Sequence, residues 1–363
     1  MAFQKIDMET VSCCGAVPMQ NIIADAPYII GRLPVTGGEV PLVSTKLTWR
    51  DHGGTIKARW DINRMNYLVQ PGLYGVGNPT PDSPVLVSAN YKMSFDYLRR
   101  ELSGIDAWIL VIDTKGVNVW CAAGKGTFGT EEIVNRIALV NLAGIVAHKN
   151  IIVPQLGAPG VSAHQVKQRS GFRVLYGPVR ASDLPAFLRS GMRATPAMRN
   201  VNFNLIDRLV LTPVELVAVI KPLSITALLL LIIQVAGLLT VTWDMVYPYL
   251  GAVLVGAVAV PALLPLIPGR SFAWKGWLVG VIWALLVVWF KGWQWDGLPG
   301  ILQTAGYIGI LPAISAYLAL NFTGASTYTS LSGVQKEMKA AIPCMIAVFC
   351  LGVAALGVGA IVK

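Results

Sequence analysis

Five apolar stretches in the second half of the chain, at about 222–242, 246–267, 274–290, 300–321 and 341–362, limit its possible folds more than any other feature. Each approaches the roughly 20 residues that a helix needs to cross a bilayer. Together they predict an all-α transmembrane domain of five helices over residues 222–363. Trp243, Trp274, Trp277, Trp293 and Trp295 sit at the ends of these stretches, where aromatic rings mark the membrane–water interface. Lys221, Arg270, Lys275, Lys336 and Lys339 fall on one side of the predicted membrane, Lys291 and Lys363 on the other. The positive-inside bias then predicts a multi-pass protein of the inner (cytoplasmic) membrane, with its N-terminal domain in the cytoplasm and its C-terminus outside. The centres of the stretches carry no charge, which argues against a proton pathway or an ion channel.

The first two hundred residues read differently. Only 13% of the whole chain is charged, against about 25% in ordinary soluble domains, and the deficit lies in the second half. Pro84 to Ser88, residues 107–112, 151–153 and 173–176 are short apolar runs bounded by turns, which predict buried strands. Between them lie helical stretches: Ser94 to Leu102 with Ser94 as N-cap, Thr130 to His148 with acids in its first turn, and a helix through Arg189 capped by Ser182-Asp183. Strands alternating with helices predict an α/β domain built on a doubly wound, mostly parallel sheet over residues 1–205, with 1–40 poorly defined. Residues 42–50 and 55–60 around Asp51-His-Gly-Gly54 read as a hairpin. An amphipathic interfacial linker follows over 206–221. There Thr212, Pro213 and Glu215 combine an N-cap, a first-turn proline and a capping-box acid, which predicts a short helix from Pro213 to Lys221.

The net charge is +10, yet the chain has no basic stripe with interleaved aromatics and no nucleic-acid motif. Membrane lipid is therefore the expected partner of the charge, with the basic segment Arg189 to Arg199 resting on anionic headgroups. Five cysteines without framework spacing argue against a disulfide scaffold, and the N-terminus has no apolar signal region, so the first domain is expected in a reducing compartment. His52, His148 and His164 lack metal-ligand spacing. Cys344 and Cys350 read as packing residues of the last span. The hydroxyl-rich stretch from Asn321 to Gly333 is either a solvated connector or a docking loop.

The densest chemistry lies at Asn118-Val119-Trp120-Cys121-Ala122-Ala123-Gly124-Lys125, just after the strand at 107–112. Open α/β sheets place ligands at the carboxyl ends of their strands. A soft thiolate there selects soft or transition metals, whereas a cysteine beside tryptophan is otherwise a small buried hydrophobe. Gly124-Lys125-Gly126-Thr127 does not make a phosphate loop, because no glycine stands at the required spacing before it and the lysine is followed by glycine. Ser88, residues 118–125, Gln155, Gly157, Ala158, Tyr176, Gly177 and Pro178 fall at strand ends and loops that can line one crevice. Small residues there allow backbone to approach a flat ligand. Ser88 and Ser94 offer hydroxyls to such a ligand, although Ser94 also serves as a helix cap. Cys13 and Cys14 are vicinal thiols that suit transient Hg(II) capture or are simply two ordinary thiols.

The eight residues from Asn118 to Lys125 resemble the cap-helix motif of the corrinoid protein family of bacterial and archaeal mercury methylation (HgcA). Ser88-Ala-Asn-Tyr-Lys-Met-Ser94, Pro154-Gln-Leu-Gly-Ala-Pro-Gly160 and Tyr176-Gly-Pro-Val-Arg-Ala-Ser-Asp183 are also similar to a domain shared with the large subunit of the corrinoid iron–sulfur protein of the acetyl-CoA pathway. The resemblance covers roughly residues 40–200. It implies a cobalamin-type corrinoid cofactor with Cys121 as the lower axial ligand of cobalt. It also implies a membrane-anchored methyltransferase that moves methyl from methyl-Co(III) corrinoid to Hg(II), making methylmercury. Expected partners are a ferredoxin-like iron–sulfur protein of the HgcB type as electron donor and an upstream methyl-donor protein. The alternative is a methyl-carrier protein of acetyl-CoA-pathway type that delivers methyl to another enzyme. Serine at 88 and 94, where that family often has threonine, keeps the hydroxyl.

Overall fold

In the computed structural model, residues 23–362 are described, except 238–239, 293–294, 296, 325 and 327–330. Cys13, Cys14, Trp293, Lys363 and much of the hydroxyl-rich loop lie outside the described residues. The chain forms two compact units: one runs to Ala58 and resumes over Asn63–Asn200, the other joins Arg59–Ile62 to Val201–Lys363.

The first unit begins with a hairpin, β1 (Ile29–Val35) and β2 (Gly38–Val43), turning at Gly37 with φ +98°. Then come α1 (Trp49–Arg59), β3 (Gly72–Val76), β4 (Val85–Ala89), α2 (Lys92–Glu101), β5 (Ala107–Ile112), α3 (Val119–Lys125) and α4 (Thr130–Leu139). A single turn α5 (Leu142–Ile145), β6 (Asn150–Val153), a 3₁₀ segment at Gln155–Gly160, α6 (Ala163–Ser170), β7 (Arg173–Tyr176) and α7 (Leu184–Arg189) complete it. The sheet order is β1-β2-β3-β5-β4-β6-β7, with β2/β3, β5/β4, β4/β6 and β6/β7 parallel. β3 runs antiparallel to β5.

Central strands bury both faces, so β4 and β5 carry unbroken apolar runs rather than alternation. Val85, Val87, Trp108 and Leu110 pack with Ala122, Ala123, Ile133 and Val166 on one side. Leu86, Ile109 and Val111 pack with Phe95, Leu98, Leu102 and Phe187 on the other. The doubly wound, mostly parallel α/β fold read from the sequence is the fold observed.

Four local expectations are corrected. Residues 49–59 form α1, not a hairpin: the Asp51 carboxylate accepts from the Thr48 N–H at 2.8 Å and hydroxyl at 2.9 Å, and a Cβ at Gly54 would come within 2.6 Å of the Tyr67 ring. The missing side chain at Gly54 lets the helix lie close under a tyrosine. α2 starts at Lys92 after Tyr91, so Ser94 sits inside the helix, its N–H donating to the Tyr91 carbonyl at 2.9 Å. The helix expected to reach His148 breaks at Asn141, whose φ is +48°. Finally, the helix opening at Thr212 does not stop at Lys221.

A cluster of buried charge ties α1 to α2. The Lys92 ammonium donates to Asp51 at 2.6 Å and Asp96 at 2.7 Å; Arg99 bridges Asp96 at 2.8 Å and lies 3.0 Å from Asp51. Burial pushes the Asp51 carboxyl up, but hydrogen bonds from Lys92 and Thr48, together with the Lys92 charge, hold it well below the usual carboxylate range. A depressed native pKa gives stability that is fully present above the unfolded value of about 3.9 and lost as pH falls through the native one. The α/β unit is therefore expected to hold constant stability from neutral pH down to about 5 and to weaken steeply below about 4, with Asp51→Asn flattening that acid limb. Denaturant unfolding of the full chain across this pH range is the check.

The second unit contains α8 (Leu205–Leu209), α9 (Thr212–Val235), α10 (Trp243–Leu254), a π-helical turn at Val255–Ala259, α11 (Val260–Leu263), α12 (Phe272–Phe290), α13 (Gly297–Asn321) and α14 (Leu331–Ile361). Asn204 and Asp207 make a reciprocal capping box at α8. Among the described residues, five helical segments are long and apolar enough to cross a membrane: Leu205–Val235, Trp243–Leu263, Phe272–Phe290, Gly297–Gly324 and Ser332–Ile361. α12, α13 and α10 meet through small residues; a Cβ at Gly276 or Gly280 would strike α13 backbone at 2.6 Å. That close approach is how membrane helices pack when lipid is as apolar as their side chains. The open ends of two helices are closed by charge. The Lys275 ammonium donates to the Leu264 carbonyl at 2.5 Å and the Ile267 carbonyl at 2.7 Å. The Glu337 carboxylate of α14 accepts from the Ala273 N–H at 2.7 Å and the Ser271 hydroxyl at 2.9 Å.

Candidate functional site

Because β4, β5, β6 and β7 are parallel, the segments that follow them emerge at one edge of the sheet. That edge carries Asn90, the turn 113–118 leading into α3, the Gln155–Gly160 segment and Gly177-Pro178.

α3 is short and its position is fixed at both ends. At its start the Asn118 side chain accepts from the Cys121 N–H at 2.9 Å. At its end Gly126, with φ +80°, folds back so that its N–H meets the Ala122 and Ala123 carbonyls. Ala122 and Ala123 are buried against the sheet, while Val119, Trp120 and Cys121 are half-buried and Gly124 and Lys125 are exposed. Cys121 and Gly124 stand three residues apart and so share a helix face. Space around Gly124 is open to 4 Å where a Cβ would stand. This outer face is a free thiol beside a glycine with room above it. Asn118→Ala should cost α3 about 1 kcal/mol and Asn118→Ser a few tenths. Amide exchange over 118–126 should be faster in the alanine variant while β5 is unchanged.

The Gln155–Gly160 segment packs on α3. A Cβ at Gly160 would lie 2.2 Å from the Phe128 carbonyl and 3.1 Å from the Ala123 Cα, and one at Gly157 would enter the Phe128 ring at 2.5 Å. The Tyr176 hydroxyl donates to the Val161 carbonyl at 2.7 Å, and the Gly177 N–H to the Val153 carbonyl at 2.9 Å. Gln155 donates its N–H to the Pro178 carbonyl at 3.4 Å and accepts from Arg199 at 3.1 Å. Asn118 to Lys125, Gly157, Ala158, Tyr176, Gly177 and Pro178 are thus gathered at one edge. Ser88 is not on the α3 side: it shares the face of Leu86, is buried, and donates its hydroxyl to the Ala89 carbonyl at 3.1 Å. Ser94 is half-buried in the first turn of α2.

The sequence reading passed over the residue that fixes the turn before α3. Asn90 is buried, and its side-chain oxygen accepts from the Thr114 N–H at 3.0 Å, the Thr114 hydroxyl at 2.8 Å and the Gly116 N–H at 3.1 Å. Its amide donates to Asp113 at 3.1 Å. The Thr114 hydroxyl also lies 2.7 Å from the Val117 carbonyl, so its single proton is shared between that oxygen and Asn90. One side chain at the end of β4 thereby holds the turn that follows β5. Its only signal was its place inside the Ser88–Ser94 motif.

Residues 62–188 match the family of the CO dehydrogenase/acetyl-CoA synthase delta subunit. The family match ends before the apolar helices. Among curated relatives, the acetyl-CoA decarbonylase/synthase complex subunit gamma of Methanopyrus kandleri is 34% identical over 122 residues, covering 33% of this chain and 26% of the relative. The subunit of the same name in Archaeoglobus fulgidus is 28% identical over 139 residues, 37% of this chain and 29% of the relative. That of Methanocaldococcus jannaschii is 31% identical over 129 residues, 35% and 26%. The chain spans between a quarter and a third of the length of these relatives.

Proposed function

We propose that the chain is a membrane-anchored corrinoid protein that carries a methyl group and passes it to a soft acceptor, Hg(II). The observation that carries this reading is Cys121: a free, half-exposed thiol on a helix set at the carboxyl edge of a parallel sheet, its own N–H already satisfied by Asn118. The residues present fit a corrinoid. The thiol is a soft donor suited to cobalt, and the open space above Gly124 admits a flat ring near it. When bound, the corrinoid would supply the cobalt chemistry that takes up and gives up methyl. Cys121 would hold the group's cobalt through its thiol, an electron-rich soft donor. A donor of this kind would suit transfer of the methyl group to Hg(II). Asn118 holds the thiol in place, Trp120 is placed to shield its surroundings, and Lys125 stands exposed at the outer end of α3. Gly157, Ala158, Tyr176, Gly177 and Pro178 form the proposed rim. Ser88 is buried on the face of the sheet away from α3 and donates within its own strand, so it stands outside this rim.

The relatives' names, subunits of acetyl-CoA decarbonylase/synthase complexes, support a carrier of this kind more directly than they support mercury as acceptor. Delivery of methyl to a partner enzyme is therefore the second reading. The apolar helices beyond residue 205, outside the family match, favour the first. In either reading a ferredoxin-like iron–sulfur protein is the proposed electron donor and a separate protein the methyl donor. The proposed placement is multi-pass in the inner membrane, with the α/β unit cytoplasmic.

The test uses membranes carrying the full chain, supplied with methylcorrinoid, the ferredoxin-like partner, reductant and Hg(II). Methylmercury that requires the chain supports the first reading. Bound corrinoid, methyl transfer to an acetyl-CoA synthase and no methylmercury would establish the second.

A further inference from the structure

The face of α1 turned to solvent carries a narrow apolar stripe set between charged and polar residues. Asp51 and Ala58 point inward and are buried. At 100° per residue the opposite side carries Trp49, Ile56 and Trp60, the last just beyond the helix end. They are 78%, 59% and 43% exposed. Ile62 and Met65 extend the patch at 58% and 60%. Arg50 and Lys57 flank the stripe on one side and His52 and Arg59 on the other. Asp61 is the one exposed acid over 49–65.

We propose that α1 is a second membrane anchor, lying in the plane of the bilayer surface with Trp49, Ile56 and Trp60 among anionic phospholipid headgroups. Three observations select lipid as the occupant. Tryptophan and aliphatic side chains between cationic flanks are the chemistry of interfacial helices. The net positive rim complements an anionic surface, each Lys or Arg adding about 1 kcal/mol near it. Arg59–Ile62, which follow Ala58 directly in the chain, are grouped with the compact unit that carries the five candidate spans. The inference rests on reading those helices as spans and is independent of any corrinoid.

The test is hydrogen–deuterium exchange on the full chain in detergent, in phosphatidylcholine nanodiscs, in nanodiscs that also contain phosphatidylglycerol, and in native membranes. Amides of Trp49–Arg59 should exchange roughly tenfold more slowly in the anionic nanodiscs than in detergent, the effect of about 1.4 kcal/mol of added protection. Arg50→Glu with Lys57→Glu should remove the dependence on phosphatidylglycerol, and Ile56→Glu the slowing itself, with Ala107–Ile112 unchanged as the check on folding. The comparison between lipids needs no variant. Equal rates in detergent and both nanodiscs would overturn the proposal. So would slowing confined to native membranes, which would mark a protein partner instead. A chain that never enters nanodiscs would refute the spans, and this anchor with them.

Discussion

Cys121→Ala should lower methyl transfer to Hg(II) by at least about a hundredfold, a loss of about 2.7 kcal/mol of transition-state stabilisation, while the α/β unit stays folded. The side chain is half-exposed and makes no contact that the core depends on; the helix is held by Asn118, Ala122, Ala123 and Gly126. The substitution therefore separates ligation from folding. Two readouts should move together: methylmercury formed in the membrane assay, and the visible spectrum of the bound corrinoid, which reports the ligand below the metal. Loss of activity with an unchanged spectrum would make Cys121 a residue of the acceptor side instead. Full activity in the alanine variant would remove the axial-thiolate reading, and with it the main support for mercury as acceptor.

Asn90→Ala should cost about 3 kcal/mol and weaken corrinoid retention, although Asn90 is not a proposed contact. The amide satisfies two buried backbone N–H groups and the Thr114 hydroxyl at once. Alanine leaves the two N–H groups without acceptors, at about 1–3 kcal/mol for each, while the Thr114 hydroxyl keeps the Val117 carbonyl. Asn90→Asp keeps the acceptors but sets a second carboxylate against Asp113, so its loss should be intermediate. Denaturant unfolding measures the stability change. Corrinoid retention through gel filtration measures whether the turn at 113–118 still presents α3. Retention equal to wild type in a destabilised Asn90→Ala chain would show that this turn does not govern the site.

These two residues also mark what could be read in the sequence. Cys121 was visible because a short apolar run, a turn and a helical stretch follow one another within twenty residues, and local order places a thiol at a strand end. The strand at 107–112 was legible for the same reason: a central strand buried on both faces is an unbroken apolar run. Asn90 was not, because its partners lie more than twenty residues away on the neighbouring strand's loop, and polar pairing across a sheet leaves no periodic trace. The hairpin expected around Gly53-Gly54 failed by the converse route. Glycines usually punctuate, but here the missing side chain is needed beneath Tyr67, and Asp51 is held by Thr48, Lys92 and Arg99. Ser88 was assigned to the right motif yet stands on the opposite face from α3, because strand alternation outranks nearness in sequence.

The bond between Glu337 and the first turn of α12 also imposes a timetable on synthesis. The carboxylate that receives the Ala273 N–H lies 64 residues further along the chain. At about 5–20 residues per second, roughly 3–13 s separate the making of the two ends. During that interval α12 and α13 are being made while the first turn of α12 still awaits its acceptor. The second unit therefore latches only when its last helix arrives, and a chain stalled before Glu337 would leave the first turn of α12 without that acceptor.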